Sequence, residues 1–313
     1  MFSIFRQILN EGDEVILPSI SFVGAANAIL NSKGVLKFCD VDYRTLNPTL
    51  EDIIKKYTSK TKAIIIIHYG GYPMYDMQQL IDFCIDKKIY LIEDNACSPF
   101  SKVNGKSCGT LADFGVWSFD SMKILVTGDG GLIYGKNLDE LKHIEKYLFF
   151  GLKTTSGLSN NVNDRWWEFD IECAGENSIM NDISSAIGVA QLKKVESFLA
   201  RRKEITEHYT NAFKDLDWLQ TIPSLKTGDE SSYYFYWIQT QYRDELAKYL
   251  RSKDIYTTFR YYPLHLVPYY GYTDEYLPIA TKVSNETLCI PLHQSMTDDD
   301  VCKVISTIKN FKK

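Results

Sequence analysis

Short, nearly continuous apolar runs recur in the first part of the chain and alternate with amphipathic stretches. The runs at 14–18, 35–39, 63–68 and 89–92 have the length and β-branched content of buried strands. Between them, residues 23–30 form a small-residue helical stretch stopped by Gly34. Thr49-Leu50-Glu51-Asp52 has capping-box spacing ahead of Ile53 and Ile54, so a helix starts there. Residues 76–87 place Leu80, Ile81, Cys84 and Ile85 on one helical face. Buried strands separated by helices of this size predict an α/β fold with a largely parallel sheet covered on both faces. Such sheets bind ligands at the carboxyl ends of their strands, and the fourth run ends in Glu93-Asp94.

The pattern continues through Trp117 and Phe119 as a buried strand, passes one lysine, Lys123, and reaches the turn Gly128-Asp129-Gly130-Gly131 before another apolar run. That turn reads as a tight connection between strands rather than a phosphate loop. Helices are predicted at 137–149 and, as one long element, 181–213. Ile183, Ile187, Ala190, Leu192, Val195 and Leu199 form the apolar stripe of the long one, and Arg201-Arg202-Lys203 reads as a solvated face. Residues 151–175, with Arg165-Trp166-Trp167, read as irregular. After Pro223 come an aromatic strand at 233–240, a helix at 243–252, a strand at 256–260 and a terminal helix at 297–311. The expected division is a large domain over 1–190, then a linker helix and a small C-terminal α/β domain over 191–313.

A net charge of −5 over 313 residues, without a basic run, argues against a nucleic-acid partner. The seven cysteines are scattered, odd in number and without a CxxC pair, so they suggest neither a disulfide framework nor a metal site. They read as reduced thiols in a cytoplasm. The longest aliphatic run, Ala63 to Ile67, is far short of a bilayer span, and the start of the chain lacks a basic-then-apolar signal pattern. The expectation is a soluble cytoplasmic protein with no membrane contact.

A lone lysine beside a core strand invites a chemical reading, because burial lowers an amine's pKa and suits it to nucleophilic or proton-carrying work. An acid at a strand end, a serine with a lysine five residues on, and a Gly-rich turn suit one cofactor, pyridoxal 5′-phosphate (PLP). A lysine amine holds its aldehyde, and a carboxylate keeps its pyridine nitrogen protonated. Asp94 and Lys123 fill those roles, Ser118 is placed to bond the phosphate, and Phe22 to stack on the ring. Each also has an ordinary reading: Asp94 as a helix cap, Ser118 as a strand serine, Phe22 as a core aromatic.

Taken together, Glu93-Asp94-Asn95-Ala96 and Ser118-Phe119, followed by Lys123, Leu125, Gly128, Gly130 and Gly131, resemble the DegT/DnrJ/StrS family of PLP-dependent sugar aminotransferases. Further segments agree: 12–19 with Phe22 and Ala26-Asn27-Ala28, Val41-Asp42 with Leu46-Asn47-Pro48, and His68-Tyr69-Gly70-Gly71-Tyr72-Pro73. So do Met180 and Asp182 with Ala186-Ile187-Gly188 and Gln191-Leu192, and Tyr262-Pro263-Leu264-His265 with Pro291-Leu292-His293. The resemblance implies a fold type I transferase, with Lys123 on the cofactor aldehyde, Asp94 on its pyridine nitrogen, Ser118 on its phosphate and Phe22 against its ring. Asn177 matches an asparagine that reaches the neighbouring subunit's phosphate, which implies a homodimer with shared active sites. His265 matches a position near the sugar-binding face, with a packed histidine as the alternative. Arg260-Tyr261-Tyr262 and the aromatic run 233–237 offer a substrate lining, with core packing as the alternative.

The implied activity moves an amino group from glutamate to a nucleotide-linked keto sugar, with pyridoxamine 5′-phosphate carrying the amine between half-reactions. Three departures stand out. Cys97 occupies the position of a Gln or His that contacts the ring hydroxyl, and it is a weak hydrogen-bonding group. Ser178-Ile179 replaces an aromatic-cation pair. Relatives carry several tens of residues ahead of the position of Met1, with a Ser-Gly-Thr-like turn that binds the phosphate. Two rivals stay open: a PLP-dependent sugar lyase or dehydratase, and a non-catalytic PLP-binding homologue. Sugar 3-dehydratases resembling this family have histidine in place of Lys123, which counts against the first.

Overall fold

The computed structural model describes residues 1–153, 169–271 and 276–313. The strands are β1 (Glu14–Pro18), β2 (Val35–Cys39), β3 (Thr61–Ile67), β4 (Tyr90–Asp94), β5 (Lys102–Val103), β6 (Lys106–Ser107), β7 (Phe114–Ser118), β8 (Gly131–Gly135), β9 (Tyr236–Gln239) and β10 (Thr287–Ile290). The helices are α1 (Phe2–Ile8), α2 (Val23–Asn31), α3 (Leu50–Lys56), α4 (Met77–Lys87), α5 (Leu138–Leu148), α6 (Asp182–Leu192), α7 (Val195–Phe213), α8 (Arg243–Arg251), α9 (Pro278–Glu286) and α10 (Asp298–Lys309). Arg165-Trp166-Trp167 lies outside the described residues.

The large sheet has the order β2-β1-β3-β4-β7-β8. All its pairings are parallel except β7 with β8, so it is a mostly parallel mixed sheet. Apolar side chains on both faces explain the near-continuous runs: Ala63 to Ile67 of β3 are buried without interruption. The capping signal at Thr49 is realised, its side chain accepting the Asp52 N–H at the start of α3. A smaller antiparallel pair, β9 with β10, carries the C-terminal part. One apolar cluster joins the two sheets, running from Val15, Leu17 and Tyr69 to Trp237, Ile238 and Ile290. The junction is close at Gly70 and Gly71, whose φ values of 62° and 91° suit glycine. A Cβ at Gly70 would lie 2.7 Å from the Trp237 ring, and one at Gly71 2.5 Å from Ser232 Oγ.

Five expectations need correction. The helix predicted at 181–213 is two, α6 and α7, parted at Lys193 and Lys194. The break lets Val195 turn into the core while Ile183 and Leu192 stay exposed. Arg202 is not solvated: it is 4% exposed and donates to the carbonyls of Tyr233, Tyr234 and Leu292. Those carbonyls lie just beyond the ends of β9 and β10, where ladder partners run out, and a guanidinium supplies the missing donors. The strand predicted at 256–260 reduces to a single bridge, Thr258 with Cys289, and Tyr233 to Phe235 precede β9 instead of belonging to it, with Tyr234 and Phe235 N–H turned to the Gly70 carbonyl. Ile85 of α4 is 69% exposed, because Met77, Leu80 and Cys84 occupy the buried face.

Candidate active site

β4 lies between β3 and β7, and the register pairs Asp94 with Ile67 on one side and Val116 on the other. Asp94 therefore ends a central strand, and Ser118 ends the adjacent β7 at the same edge. The chain then leaves β7 in a loop closed by Phe119 N–H on the Gly130 carbonyl and Thr127 N–H on the Phe119 carbonyl. Met122 N–H on Asp120 Oδ1 and Lys123 N–H on the Asp120 carbonyl tighten it into a turn, while Ile124 and Leu125 anchor it in the core. Lys123 is thereby held half-buried on a fixed backbone.

Lys123 Nζ sits 5.5 Å from the centre of the Tyr234 ring. The same tyrosine donates its hydroxyl to the Met122 carbonyl at 2.8 Å, which fixes ring and loop together. Burial raises the Asp94 pKa above its ordinary value; the Ala96 N–H and the Lys123 charge pull the other way. Burial likewise pushes the Cys97 thiol up to about 11, against the opposing pull of Lys123. Cys97 Sγ lies 3.3 Å from the Tyr261 hydroxyl, and the Tyr261 ring is 5.6 Å from that of Phe22. Phe22 is 55% exposed at the head of α2, which rules out the core-aromatic reading. Asp94, Cys97, Lys123, Tyr234, Tyr261 and Phe22 thus form one linked group at the carboxyl edge of the sheet.

The remaining predicted residues divide. Ser118 Oγ accepts the Asp120 N–H at 3.3 Å and is half-buried one strand from Asp94. Asn177 is exposed, bridged through its backbone to Phe149, and is not part of the Lys123 group. His265 is buried, with Nδ1 2.5 Å from Ser19 Oγ and Nε2 3.3 Å from Thr281 Oγ1. Arg260 lines a cavity described below, whereas Tyr262 is 59% exposed and does not line it. Tyr261, not its neighbour Tyr262, meets Cys97 and Phe22.

Below Asp94, His68, Glu93 and Cys108 gather their ligand-type atoms within 4.8 Å of one another. The lone pairs of Glu93 and His68 are already used. Glu93 accepts N–H groups from Gly109, Leu111 and Ala112 and pairs with His68 Nε2 at 3.0 Å, while His68 Nδ1 accepts the Met74 N–H. The cluster clamps the loop after β6 to β4 and so supports the strand end that carries Asp94.

The model of the DegT/DnrJ/EryC1/StrS aminotransferase family matches residues 4–309. The chain belongs to this family. Among curated relatives, the dTDP-4-dehydro-2,3,6-trideoxy-D-glucose 4-aminotransferase of Saccharopolyspora spinosa is 45% identical, the match covering 94% of this chain and 76% of that protein. The GDP-perosamine synthase of Escherichia coli O157:H7 is 29% identical, over 97% and 80% of the two chains. Among solved structures, the aminotransferase TlmJ from Streptoalloteichus hindustanus superposes with a TM-score of 0.91 at 44% identity, covering 98% of this chain and 82% of that one.

Aminotransferases of the DegT family are PLP-dependent. The residues of this member fit that group. Asp94 Oδ1 takes the Ala96 N–H, while Oδ2 has no donor among the described residues. No ion pair joins Asp94 to Lys123 among the described residues, so acid and amine face the site without neutralising each other directly. Asp94 would hold the pyridine nitrogen, Lys123 the aldehyde carbon, and Phe22 the ring face.

Proposed function

We propose that this sugar aminotransferase moves the amino group of glutamate to C4 of a keto-deoxy sugar carried on a nucleoside diphosphate, for amino-sugar or surface-polysaccharide synthesis. The 45% identity to a dTDP-keto-sugar 4-aminotransferase supports the sugar and the carbon. A spore coat polysaccharide biosynthesis protein of Bacillus subtilis, 28% identical, supports the biosynthetic setting. The observation that carries the reading is the placement of Lys123 and Asp94 about one strand-end site, with Phe22 exposed beside them.

When bound, PLP withdraws electrons from the carbon that loses or gains a proton. Asp94, as a carboxylate, keeps the ring nitrogen protonated and so maintains that withdrawal. Lys123 Nζ takes the proton from the donor's α-carbon and, in the second half-reaction, delivers one to the sugar carbon that receives the amine. Its fixed turn and the Tyr234 ring hold the amine in place between these tasks. Ser118 is assigned to the phosphate, together with Asn177 of a second subunit.

A homodimer is part of this proposal. Only Gly188 of α6 is buried, while Ile183, Val189 and Leu192 are 77%, 58% and 52% exposed. A helix so apolar around its circumference calls for cover from another surface. Ile171 and Ile179, on either side of Asn177, are 59% and 51% exposed and extend the same apolar character. The buried free thiols Cys39, Cys84, Cys97, Cys108 and Cys289 accord with a cytoplasmic setting. Among the described residues no helix is long and apolar enough to cross a membrane.

The test is to incubate the PLP-loaded protein with glutamate and a panel of nucleotide-linked 4-keto sugars, following 2-oxoglutarate release and the mass of the sugar product. The expected product gains an amine at C4, and Lys123→Ala lowers the rate by about 10²–10⁴-fold or more. Full turnover by that variant would remove Lys123 from the chemistry.

A further inference from the structure

A cavity of about 420 Å³ adjoins the Lys123 group, sharing Met122 and Tyr234 with it. Two cations, Arg202 and Arg260, line it together with His293, whose pKa burial and the Arg202 charge hold below the ordinary histidine value, and no carboxylate does. Arg202 is almost fully buried, and its acceptors among the described residues are neutral: Gln294 Oε1 at 3.0 Å and the carbonyls of Tyr233, Tyr234 and Leu292 at 3.1, 3.3 and 3.3 Å. Among the described residues Nη2 has no acceptor and the guanidinium no acidic partner. Burial pushes its pKa down to about 10, which still leaves it charged at neutral pH.

A buried cation without an anion is costly, and proteins keep such charges where something pairs with them. Arg260 adds a second fixed charge, which is felt by Cys97, Cys289 and Tyr234 as a pull against their burial-raised pKa values. The backbone explains the arrangement. Tyr256, Thr258 and Arg260 alternate along one side of an extended segment and all face the cavity, while Tyr261 faces Cys97.

We propose that this cavity is a binding site for a doubly charged anion, held by Arg202 and Arg260 with His293 at its edge, next to Lys123. Two fixed cations with no internal acid match two negative charges, and the volume admits a dicarboxylate or a diphosphate. The identity of the physiological anion rests on the sugar-aminotransferase reading: it is either the dicarboxylic amino donor or the diphosphate of the nucleotide sugar. The site itself is built from side chains of this chain and needs neither cofactor nor turnover.

The experiment is isothermal titration of the whole 313-residue chain, with and without PLP, by 2-oxoglutarate and separately by sodium pyrophosphate at constant ionic strength. At least one probe is expected to bind, with Arg260→Gln weakening it by about tenfold or more at an unchanged unfolding midpoint. Arg202→Lys tests the buried charge; if it fails to fold, Arg260→Gln and His293→Gln carry the test from the cavity wall. Binding of pyrophosphate alone assigns the nucleotide diphosphate, binding of 2-oxoglutarate alone assigns the donor, and binding of both supports the shared chemistry. Absence of binding by either probe to folded protein, or equal affinity in wild type and both wall variants, overturns the proposal. Because the PLP-free titration needs no transfer activity, an inactive protein that still binds these anions would sink the functional reading and leave the site standing.

Discussion

The Asp94 carboxylate loses water at the end of β4 and receives one backbone donor in return, at Ala96. Its pKa in the folded chain is therefore raised, chiefly by burial. For an acid shifted upward, the folded state is penalised above the folded pKa, where the group must ionise, and the penalty disappears below the unfolded value. Asp94→Asn is accordingly expected to raise the melting temperature of the PLP-free protein at pH 7 and lower amine transfer by about 10²–10⁴-fold. Thermal unfolding and 2-oxoglutarate release measure the two effects. A variant that is less stable and fully active would contradict both halves of the argument. Asp94, Ser118, Phe22 and Lys123 were legible as residues because each occupies a marked place in the pattern: two strand ends, the residue before a helix, and a lone lysine in the loop that leaves a core strand. Tyr234 and Tyr261 were legible only within aromatic runs that core packing explained equally well, and Arg202 only as part of a solvated face. Aromatic and basic side chains suit core, surface and site equally, and only three-dimensional neighbours separate those uses.

At the scale of elements, β4 is stiffened from below by Glu93, which faces away from Asp94 into the loop after β6. Burial would raise the Glu93 pKa, but the His68 contact and the N–H groups of Gly109 and Ala112 outweigh it and hold the value below 4.5. A depressed acid contributes stability that is present above its unfolded pKa and is lost as pH falls through its folded pKa. The wild-type protein should therefore lose stability on acidification below about pH 4.5. Glu93→Gln should flatten that part of the profile and cost about 1–3 kcal/mol at neutral pH, since an amide cannot accept all the N–H groups that the carboxylate does. Urea unfolding across pH 3 to 7 provides the comparison. An unchanged acid limb in the variant would show that the clamp does not set it. The helices α6 and α7 teach a related point. A continuous helical period over 181–213 conceals a break, because periodicity records which residues are apolar and not which surface covers them.

At the scale of the molecule, the proposed second subunit would cover the exposed apolar α6 and meet Asn177, which lies outside the Lys123 group. If Asn177 completes the partner's site, inactive Lys123→Ala and impaired Asn177→Ala chains should complement each other. Each heterodimer then holds one intact site of two, so the purified heterodimer should recover roughly half of wild-type activity. Co-expression with two affinity tags, followed by assay of the doubly tagged fraction, measures this. No recovery in a confirmed heterodimer would place Asn177 in its own subunit's site or outside catalysis.

By itself the sequence determined the alternation of buried strands and covering helices, and with it the acid, serine and lysine at the carboxyl edge of the sheet. Those features follow from local periodicity and from the order of elements, which a linear pattern records directly. Tertiary structure alone decided which charges are compensated and which face a shared space. It buried Arg202 against carbonyls that lack strand partners, packed His265 between Ser19 and Thr281, and turned Tyr261 rather than Tyr262 toward Cys97. These outcomes depend on contacts between residues distant in the chain, where a half-turn of backbone exchanges one face for the other.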